Sequence, residues 1–365
     1  MTGAGPVGVG FIGAGVISST YLENLTSFPD VRVLFVADID VARAKAQADA
    51  FGVPGSGTVE ELLAHPEIEI VVNLTIPAAH AEVAMRVLEA GKHVWTEKPF
   101  ALDRESGKVL LAEAAKRGLR VATAPDTFLG AGLQAGKRLI EDGRIGRPLT
   151  ALTLFQGPGP ESWHPNPDFY YVAGGGPLFD MGPYYLTALV QNLGPVKRVA
   201  ATASRSTESR TIGSGPRAGE SFPVTVPTHL SALIEFESGA SAQSVFSFQS
   251  ALKRGGFVEI AGSEGTLVFP DPNNFDGELT LWSGDDEEHV STISETGRGT
   301  GVVDLARAIR AGVTERASGE QAYHVLDVMV SIVEAAEKGE FVTVETTVEP
   351  ATSLPVDWDP RAATL

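Results

Sequence analysis

Between Val7 and Leu25 the chain changes period abruptly: VGVGFI is a short β-rich run, Gly13 to Ser18 makes a tight turn, and VISSTYLENL proceeds with helical spacing. A strand that passes through a glycine turn straight into a helix meets this pattern. Gly13 takes the backbone angles the turn needs, and Gly15 has no side chain to keep an anion from the unpaired N–H groups at the helix N-terminus. Ser18 stands where a third glycine is usual and is small enough for helix and strand to pack closely. The turn is thus a predicted pyrophosphate seat formed by Gly13, Gly15, Val16 and Ile17.

A second strand, VRVLFVAD, ends at Asp38, twenty residues past Ser18, where a carboxylate can accept hydrogen bonds from the hydroxyls of an adenosine ribose. Ile39 and Asp40 follow. With no arginine immediately beside Asp38 and two carboxylates to repel a 2′-phosphate, the expected cofactor is NAD, with NADP less favoured. Arg43, one helical turn on, is the residue that argues the other way, and it is read as a solvated helix residue.

The alternation continues through strand EIEIVVNLTI, helix HAEVAMRVLEAG, strand KHVWTE, a helix from Asp103 to about Lys116, and strand LRVATA. Strands separated by helices predict a doubly wound parallel sheet with ligands at the carboxyl ends of its strands. Two strand-end loops stand out: Thr75-Ile76-Pro77, followed by His80, and Glu97-Lys98-Pro99. Thr75, Pro77, His80, Glu97 and Lys98 are therefore candidate cofactor-binding residues. Pro77 and Pro99 restrict the residues before them, which suits rigid loops lining a cofactor.

A chain of 365 residues suits two domains, each with a sizeable core. Its 46 acidic residues against 28 basic leave a net charge of −18, which disfavours nucleic acid and anionic membranes as partners. There is no cysteine, so disulfides, thiolate metal sites and a cysteine nucleophile are excluded, and a cytoplasmic location is expected. The N-terminal MTGAGPVGVG carries no basic segment, and its apolar run is broken by Gly10, Gly13 and Gly15, so neither a signal peptide nor a membrane span is expected there. No His, Cys, Asp or Glu cluster has metal-ligand spacing, and no metal is expected.

With the glycine turn, Asp38, Pro77 to His80, AGKHV at 90–94 and EKP at 97–99 in this order, the chain resembles the glucose-fructose oxidoreductase / inositol dehydrogenase / rhizopine catabolism family. GGGPLFDMGPYY at 174–185, THLSALIEFESG at 228–239 and SGEQAYHVLDVM at 318–329 extend the resemblance over nearly the whole chain. It implies an α/β Rossmann domain over residues 1–125 that binds NAD. Residues 126–365 would form an α+β domain on an open, mostly antiparallel sheet that binds substrate and dimerises, giving a homodimer or homotetramer. The activity implied is a dehydrogenase acting on a CH–OH group of a sugar, inositol or related polyol.

The second half agrees when read residue by residue. Leu230, Ala232, Ile234 and Phe236 alternate with His229, Ser231, Leu233 and Glu235, and FVEIAGSEGTLVF reads as two strands around a glycine turn. Ser318 and Gln321 have capping-box spacing ahead of a helix in which Val325, Val328, Met329, Ile332, Val333 and Ala336 form one apolar face, with Gly339 beyond its end. Arg205 to Gly219, rich in Ser, Gly and Arg without periodicity, is expected to be a loop.

Oxidising an alcohol needs a hydride acceptor and a base for the hydroxyl proton within reach of one substrate. Lys98, at a strand end, can hold the substrate oxygen and stabilise alkoxide character. In GGGPLFDMGPYYLTAL, Asp180 and Tyr184 lie four apart, hence on one face of a helix. Asp180 and Gly182 match the family pattern DxGxHxxD, whereas Tyr184 replaces its histidine and Thr187 its second aspartate. The tyrosine matches the family branch in which a lysine and a tyrosine share the proton chemistry. A free phenol has a pKa near about 10, so Tyr184 needs positive charge nearby to work at neutral pH. Tyr184 is thus the expected acid/base, Lys98 the group that polarises the reacting oxygen, and Asp180 a ligand for a neighbouring hydroxyl. Tyr185 is the rival if the helix is rotated.

The loop ESWHPNPDFYY brings Trp163, His164, Asp168 and Tyr170 as a possible border to a polyol pocket, with His164 an alternative acid/base. Asp126, just past a strand end, is a weaker substrate candidate. His80, His93, His229 and His324 also fit packing or surface roles. Two other functions use the same residues: NAD-dependent glycoside cleavage through transient oxidation, and a non-catalytic NAD-binding sensor. The intact EKP argues against the sensor.

Overall fold

The computed structural model describes residues 5–293 and 295–365. Met1 to Ala4, where the segment read as no leader begins, and Ser294 lie outside the described residues. The chain forms two compact units. One comprises Met1–Gly130, Ser294–Tyr323 and Leu354–Leu365, the other Ala131–Ile293 and His324–Ser353.

The first unit opens with β1 (Val7–Ile12), α1 (Val16–Leu25), β2 (Val31–Ala37), α2 (Val41–Phe51), β3 (Gly55–Gly57) and α3 (Val59–Ala64). It continues with β4 (Ile70–Asn73), α4 (His80–Glu89), β5 (His93–Thr96), α5 (Arg104–Arg117) and β6 (Val121–Thr123). The strands make one six-stranded sheet in the order β3-β2-β1-β4-β5-β6, parallel throughout. β1 is buried along its whole length, as expected of a parallel strand covered on both faces. The strand order reverses between β1 and β4, which makes the carboxyl ends of these two strands the switch point where doubly wound sheets open a crevice. Local chemistry starts the helices: Asp40 caps α2, Asp103 caps α5, and Thr58 with Glu61 forms a capping box on α3.

The second unit contains α6 (Ala131–Glu141), β7 (Pro148–Gln156), α7 (Gly176–Leu193), β8 (Val196–Ser204), β9 (Ser209–Thr211) and β10 (Ser221–Pro223). β11 (His229–Phe236), β12 (Ser241–Ser247), β13 (Arg254–Gly262), β14 (Thr266–Phe269), β15 (Gly277–Ser283) and β16 (Asp286–Thr292) follow. Beyond them come α8 (Thr300–Ala311), which belongs to the first unit, then α9 (Gly319–Lys338) and β17 (Val342–Thr343). Nine strands form an open sheet, β16-β15-β14-β13-β7-β12-β11-β8-β17, antiparallel except for the β12–β7 pair. Its inner face carries Leu230, Ala232, Ile234 and Phe236, all buried, and α7 packs on β7, β11 and β12. The α/β unit with a parallel sheet and the α+β unit with a mostly antiparallel one are the architecture the sequence implied.

Two readings need correction. Part of the stretch expected to be a loop is ordered, because Ser209–Thr211 pairs antiparallel with Ser221–Pro223 as a two-stranded ribbon. Strands of three residues are too short to show alternation, and Ile212, Phe222 and Val224 bury themselves in a cluster that the Ser, Gly and Arg around them hide. Second, residues 295–323 and 354–365, assigned from sequence to the second domain, group with the first unit. Asp30 holds the end of the chain there, accepting from the Thr364 and Leu365 amides at 2.8 and 3.0 Å and from Arg307 Nε at 2.7 Å. Among the described residues no helix is long and apolar enough to cross a membrane.

Candidate active site

The glycine turn is built as a cradle. Gly13 has φ 107°, and a Cβ there would lie 2.6 Å from the Leu74 carbonyl oxygen, so only glycine fits. A Cβ on Gly15 would meet nothing within 4 Å, and no side chain caps α1 behind it, which leaves the helix N-terminus open to an anion. Val16, Ile39 and Ile76, which follow β1, β2 and β4, are 93, 95 and 61 % exposed. Large apolar side chains bared around a strand-end crevice fit the flat rings of a dinucleotide.

Asp38 directly follows the second strand and is almost fully buried. Its Oδ2 accepts the Ala14 amide at 2.7 Å, and its Oδ1 accepts the Asp40 amide at 2.8 Å and Arg43 Nη2 at 2.6 Å. Burial alone would raise the pKa of this carboxyl, but these hydrogen bonds, Arg43's foremost, hold it below its ordinary value. Arg43 is the exposed helix residue expected, 50 % exposed, but it is also paired with Asp38. Because Asp40 caps α2, Arg43 falls in the first turn of that helix and reaches back to Asp38.

His80 ties the two candidate strand-end loops together. Its Nδ1 lies 2.8 Å from the Pro99 carbonyl oxygen and its Nε2 2.9 Å from that of Thr75. Burial lowers its pKa against the pull of the two carbonyls and of Glu97. Only 1 % exposed, with its ring set between two backbone carbonyls, His80 links the two strand-end loops, donating to one carbonyl or the other according to its tautomer. Pro77 opens a short 3₁₀ turn, and Thr75 Oγ1 donates to Asn73 Oδ1 at 2.7 Å.

Glu97 is held from two sides, accepting from Tyr21 Oη at 2.9 Å and from the Lys98 amide at 3.0 Å. Trp95 Nε1 in turn donates to Tyr21 Oη at 3.2 Å. Lys98 therefore leaves β5 on a fixed backbone, half-buried at the strand's carboxyl end. Tyr21 was missed as a site residue. Its spacing with Ser18, Leu22 and Leu25 marks a buried face of α1, but nothing in that spacing names Glu97 as its partner.

Asp126 does not serve as a substrate ligand in this structure. It is fully buried, and its Oδ2 accepts the amides of Gly299 and Gly301 at 2.8 and 3.2 Å, anchoring the start of α8. Burial pushes its pKa up to about 6 although Arg298 stands 3.7 Å away.

In the second unit, α7 gives the two adjacent tyrosines different surroundings. Tyr185 is fully buried against Phe155 and Phe246, and its hydroxyl accepts the Gly256 amide at 2.8 Å. Burial raises its pKa. It packs in the core of the sheet face. Tyr184, 6 % exposed, occupies the face it shares with half-buried Asp180 one turn earlier.

Trp163 is 65 % exposed, and His164 packs edge-on to Trp163, Phe169 and Tyr170. Burial lowers the pKa of His164, opposed by the negative charge of Asp180, so these two candidates lie within electrostatic reach of each other. Asp168 is not open, because Arg217 holds both of its oxygens. Among the described residues no group of three or more His, Cys, Asp or Glu side chains could hold a metal ion. The donor set fits a dinucleotide: an uncapped helix N-terminus for the pyrophosphate, a buried carboxylate for the ribose, and bare apolar side chains for the rings.

Comparison with known proteins agrees with this geometry. Residues 7–124 match the model described as an oxidoreductase family with an NAD-binding Rossmann fold, and residues 133–268 match the GFO/IDH/MocA C-terminal domain. The chain is 26 % identical over 346 residues to 1,5-anhydro-D-fructose reductase of Ensifer adhaerens, covering 92 % of this chain and 98 % of that one. Levoglucosan dehydrogenase of Pseudarthrobacter phenanthrenivorans is 26 % identical, with 92 % of this chain and 97 % of that one covered. A solved structure of levoglucosan dehydrogenase in complex with NADH and L-sorbose superposes with a TM-score of 0.81 at 24 % identity, covering 94 % of this chain and all of the other (100 %), and so shares the fold.

Proposed function

The chain belongs to the GFO/IDH/MocA oxidoreductase family, and from that premise we propose that it is an NAD-dependent dehydrogenase acting on a CH–OH group of a sugar, inositol or related polyol. Gly13, Gly15, Val16 and Ile17 at the α1 N-terminus would hold the dinucleotide's pyrophosphate, Asp38 would accept from the adenosine ribose, and the loops at Thr75, Pro77, Glu97 and Lys98 would receive the nicotinamide. The observation that carries this reading is the switch-point cradle itself, in which an uncapped helix N-terminus and a buried Asp38 stand beside the Lys98 strand end of one sheet.

When bound, the nicotinamide supplies the hydride acceptor. The Lys98 ammonium holds the substrate oxygen and stabilises the negative charge that grows on it. Tyr184, ionised to the phenolate with the Lys98 ammonium beside the reacting oxygen, takes the hydroxyl proton at Oη while the C–H hydride passes to the nicotinamide, so the alcohol loses one proton and one hydride and becomes a carbonyl. Asp180 accepts from a neighbouring hydroxyl, and Trp163 and His164 border the substrate. In the reverse direction the same groups return the proton to the carbonyl oxygen.

A second copy of the chain is the expected partner, as a homodimer or homotetramer. Leu233, Gln243, Leu152 and Glu259 lie in register across the outer face of the nine-stranded sheet, with Leu233 and Leu152 half-exposed. The cysteine-free composition supports the cytoplasm as the proposed location. A panel of cyclic polyols and aldoses with NAD, followed by reduced-nicotinamide absorbance, tests the activity. Net NADH should form with at least one substrate, and Lys98→Met and Tyr184→Phe should each abolish it. NAD binding with no turnover across the panel would favour the sensor, and bond cleavage without net NADH would favour the glycoside-cleaving alternative.

A further inference from the structure

We propose that the β9–β10 ribbon is a specificity clamp, whose Arg217 and Arg210 lock the loop at residues 157–172 so that the Trp163 indole and the Nε2–H of His164 form a rigid platform for a ring-shaped polyol. This rests on the preceding reading that the loop borders the substrate, and it adds the residues that set substrate choice.

The ribbon and the loop are one packed body. Arg210 Nη1 donates to the Pro158 carbonyl at 2.7 Å and to Glu161 Oε1 at 2.5 Å, and Nη2 donates to the Phe248 carbonyl at 2.7 Å. The same guanidinium lies over the ring of Tyr171, whose hydroxyl donates to Glu161. Further out, Arg217 grips Asp168 with both Nη atoms, at 2.8 and 3.0 Å. A forked pair of this kind fixes angle as well as distance. Between the arginines, the Gly213 amide donates to the Glu161 carbonyl at 2.8 Å, and a Cβ on Gly215 would lie 2.6 Å from Pro165 Cβ. The ribbon turn therefore lies directly against the loop with no room for a side chain. Beneath, Tyr171, Ile212, Phe222, Val224 and Phe248 form a shared apolar cluster.

All this anchoring surrounds a segment whose largest side chain is left bare. Trp163 remains 65 % exposed on a backbone that is held from behind. An exposed indole on a rigid loop costs little ordering entropy when a ligand covers it, and its face suits the C–H face of a pyranose or cyclitol. His164 adds direction. Its Nδ1 accepts the Asn166 amide at 3.1 Å, so the neutral ring carries its proton on Nε2. That nitrogen donates to a substrate oxygen and has no lone pair with which to take a proton. A protonated ring would set two N–H donors against each other at Nδ1. His164 is thus an orienting donor, and the base is left to Tyr184. A ring-shaped polyol offers a C–H face and an adjacent oxygen together, whereas a short linear polyol such as glycerol offers no face.

Arg217→Ala, with Arg217→Lys beside it, tests the clamp in the full-length enzyme. Arg217 is partly exposed, so the fold should survive its loss, which is checked by the melting temperature. With Arg217→Ala, amide exchange in residues 157–172 should accelerate, KM for the best cyclic substrate should rise about 5- to 20-fold, and its advantage over glycerol should shrink by a similar factor, as expected for losing a forked ion pair. The KM for NAD and the pH profile of kcat should stay in place. Arg217→Lys should recover only part of the loss, because an ammonium cannot fork. Faster loop exchange with an unchanged substrate KM would reduce the ribbon to a structural brace and overturn the proposal, as would unchanged loop exchange. A wild-type enzyme that binds NAD but turns over no polyol overturns the proposed function itself, and that outcome appears before any variant is made.

Discussion

Replacing Asp38 by alanine should weaken NAD and favour NADP at once, and the hydrogen-bond count around this carboxylate sets the size of the effect. A carboxylate has two oxygens and about four acceptor positions. Three are occupied here: Ala14 N on Oδ2, and Asp40 N and Arg43 Nη2 on Oδ1. One position remains for a ribose hydroxyl unless Arg43 moves away. A hydrogen bond to a charged acceptor contributes about 1.5–3 kcal/mol, so losing one should weaken NAD about 10- to 150-fold. The same substitution removes a negative charge that repels a 2′-phosphate and releases Arg43, whose guanidinium suits phosphate, so NADP affinity should hold or improve. Arg43→Ala is the matching control. It frees a second position on Oδ1, so NAD should bind at least as tightly as in the wild type, while the response of NADP to Asp38→Ala should shrink to the part that comes from losing the carboxylate's repulsion. Calorimetric titration of each nucleotide, without substrate, reads these effects independently of the reaction. NAD affinity within about threefold of wild type in Asp38→Ala would falsify the assignment of this carboxylate to the ribose.

Two other perturbations probe side chains that the structure assigns to packing. Tyr185→Phe leaves the Gly256 amide without its acceptor and should cost about 1–2 kcal/mol in urea unfolding with kcat nearly unchanged; lost turnover at unchanged stability would exchange the roles of the two tyrosines. Asp126 has a folded pKa raised to about 6 from 3.8, so the fold favours its protonated form. Its stabilising contribution is complete below about pH 4 and is lost as pH rises through about 6, a change of up to about 3 kcal/mol. The unfolding free energy of wild type relative to Asp126→Asn should therefore fall between pH 4 and pH 7, and a flat difference would show that the carboxyl is ionised throughout.

The Rossmann half was legible because its signals are local. A period change across one glycine turn, a carboxylate at the end of the next strand and a regular strand–helix alternation each depend on residues within a few turns of one another. Asp180 and Tyr184 share a face simply because they are four apart on a helix. Asp126 was misread for the converse reason. A carboxylate just past a strand end looks like a ligand, and what claims it instead is a pair of amides 173 and 175 residues away. Helix α8 went unnoticed from the same cause, because no side chain near Gly299 caps it and its cap is Asp126.

By itself the amino-acid order determined which backbone conformations were open: Gly13 alone could make its turn, the β-rich runs had to be strands, and the 3, 4 spacing of Val325 to Ile332 had to be a helix with one buried face. Tertiary structure decided which polar groups were left for chemistry. Tyr184 and Tyr185 are identical in propensity and adjacent in the chain, yet the phase of α7 against the sheet gives one hydroxyl to Gly256. Likewise Arg43 is drawn back to Asp38, His80 bridges two loops, and Arg217 holds Asp168. A buried polar group must find a partner, and the partner is whatever the fold brings within about 3 Å, at any separation along the chain.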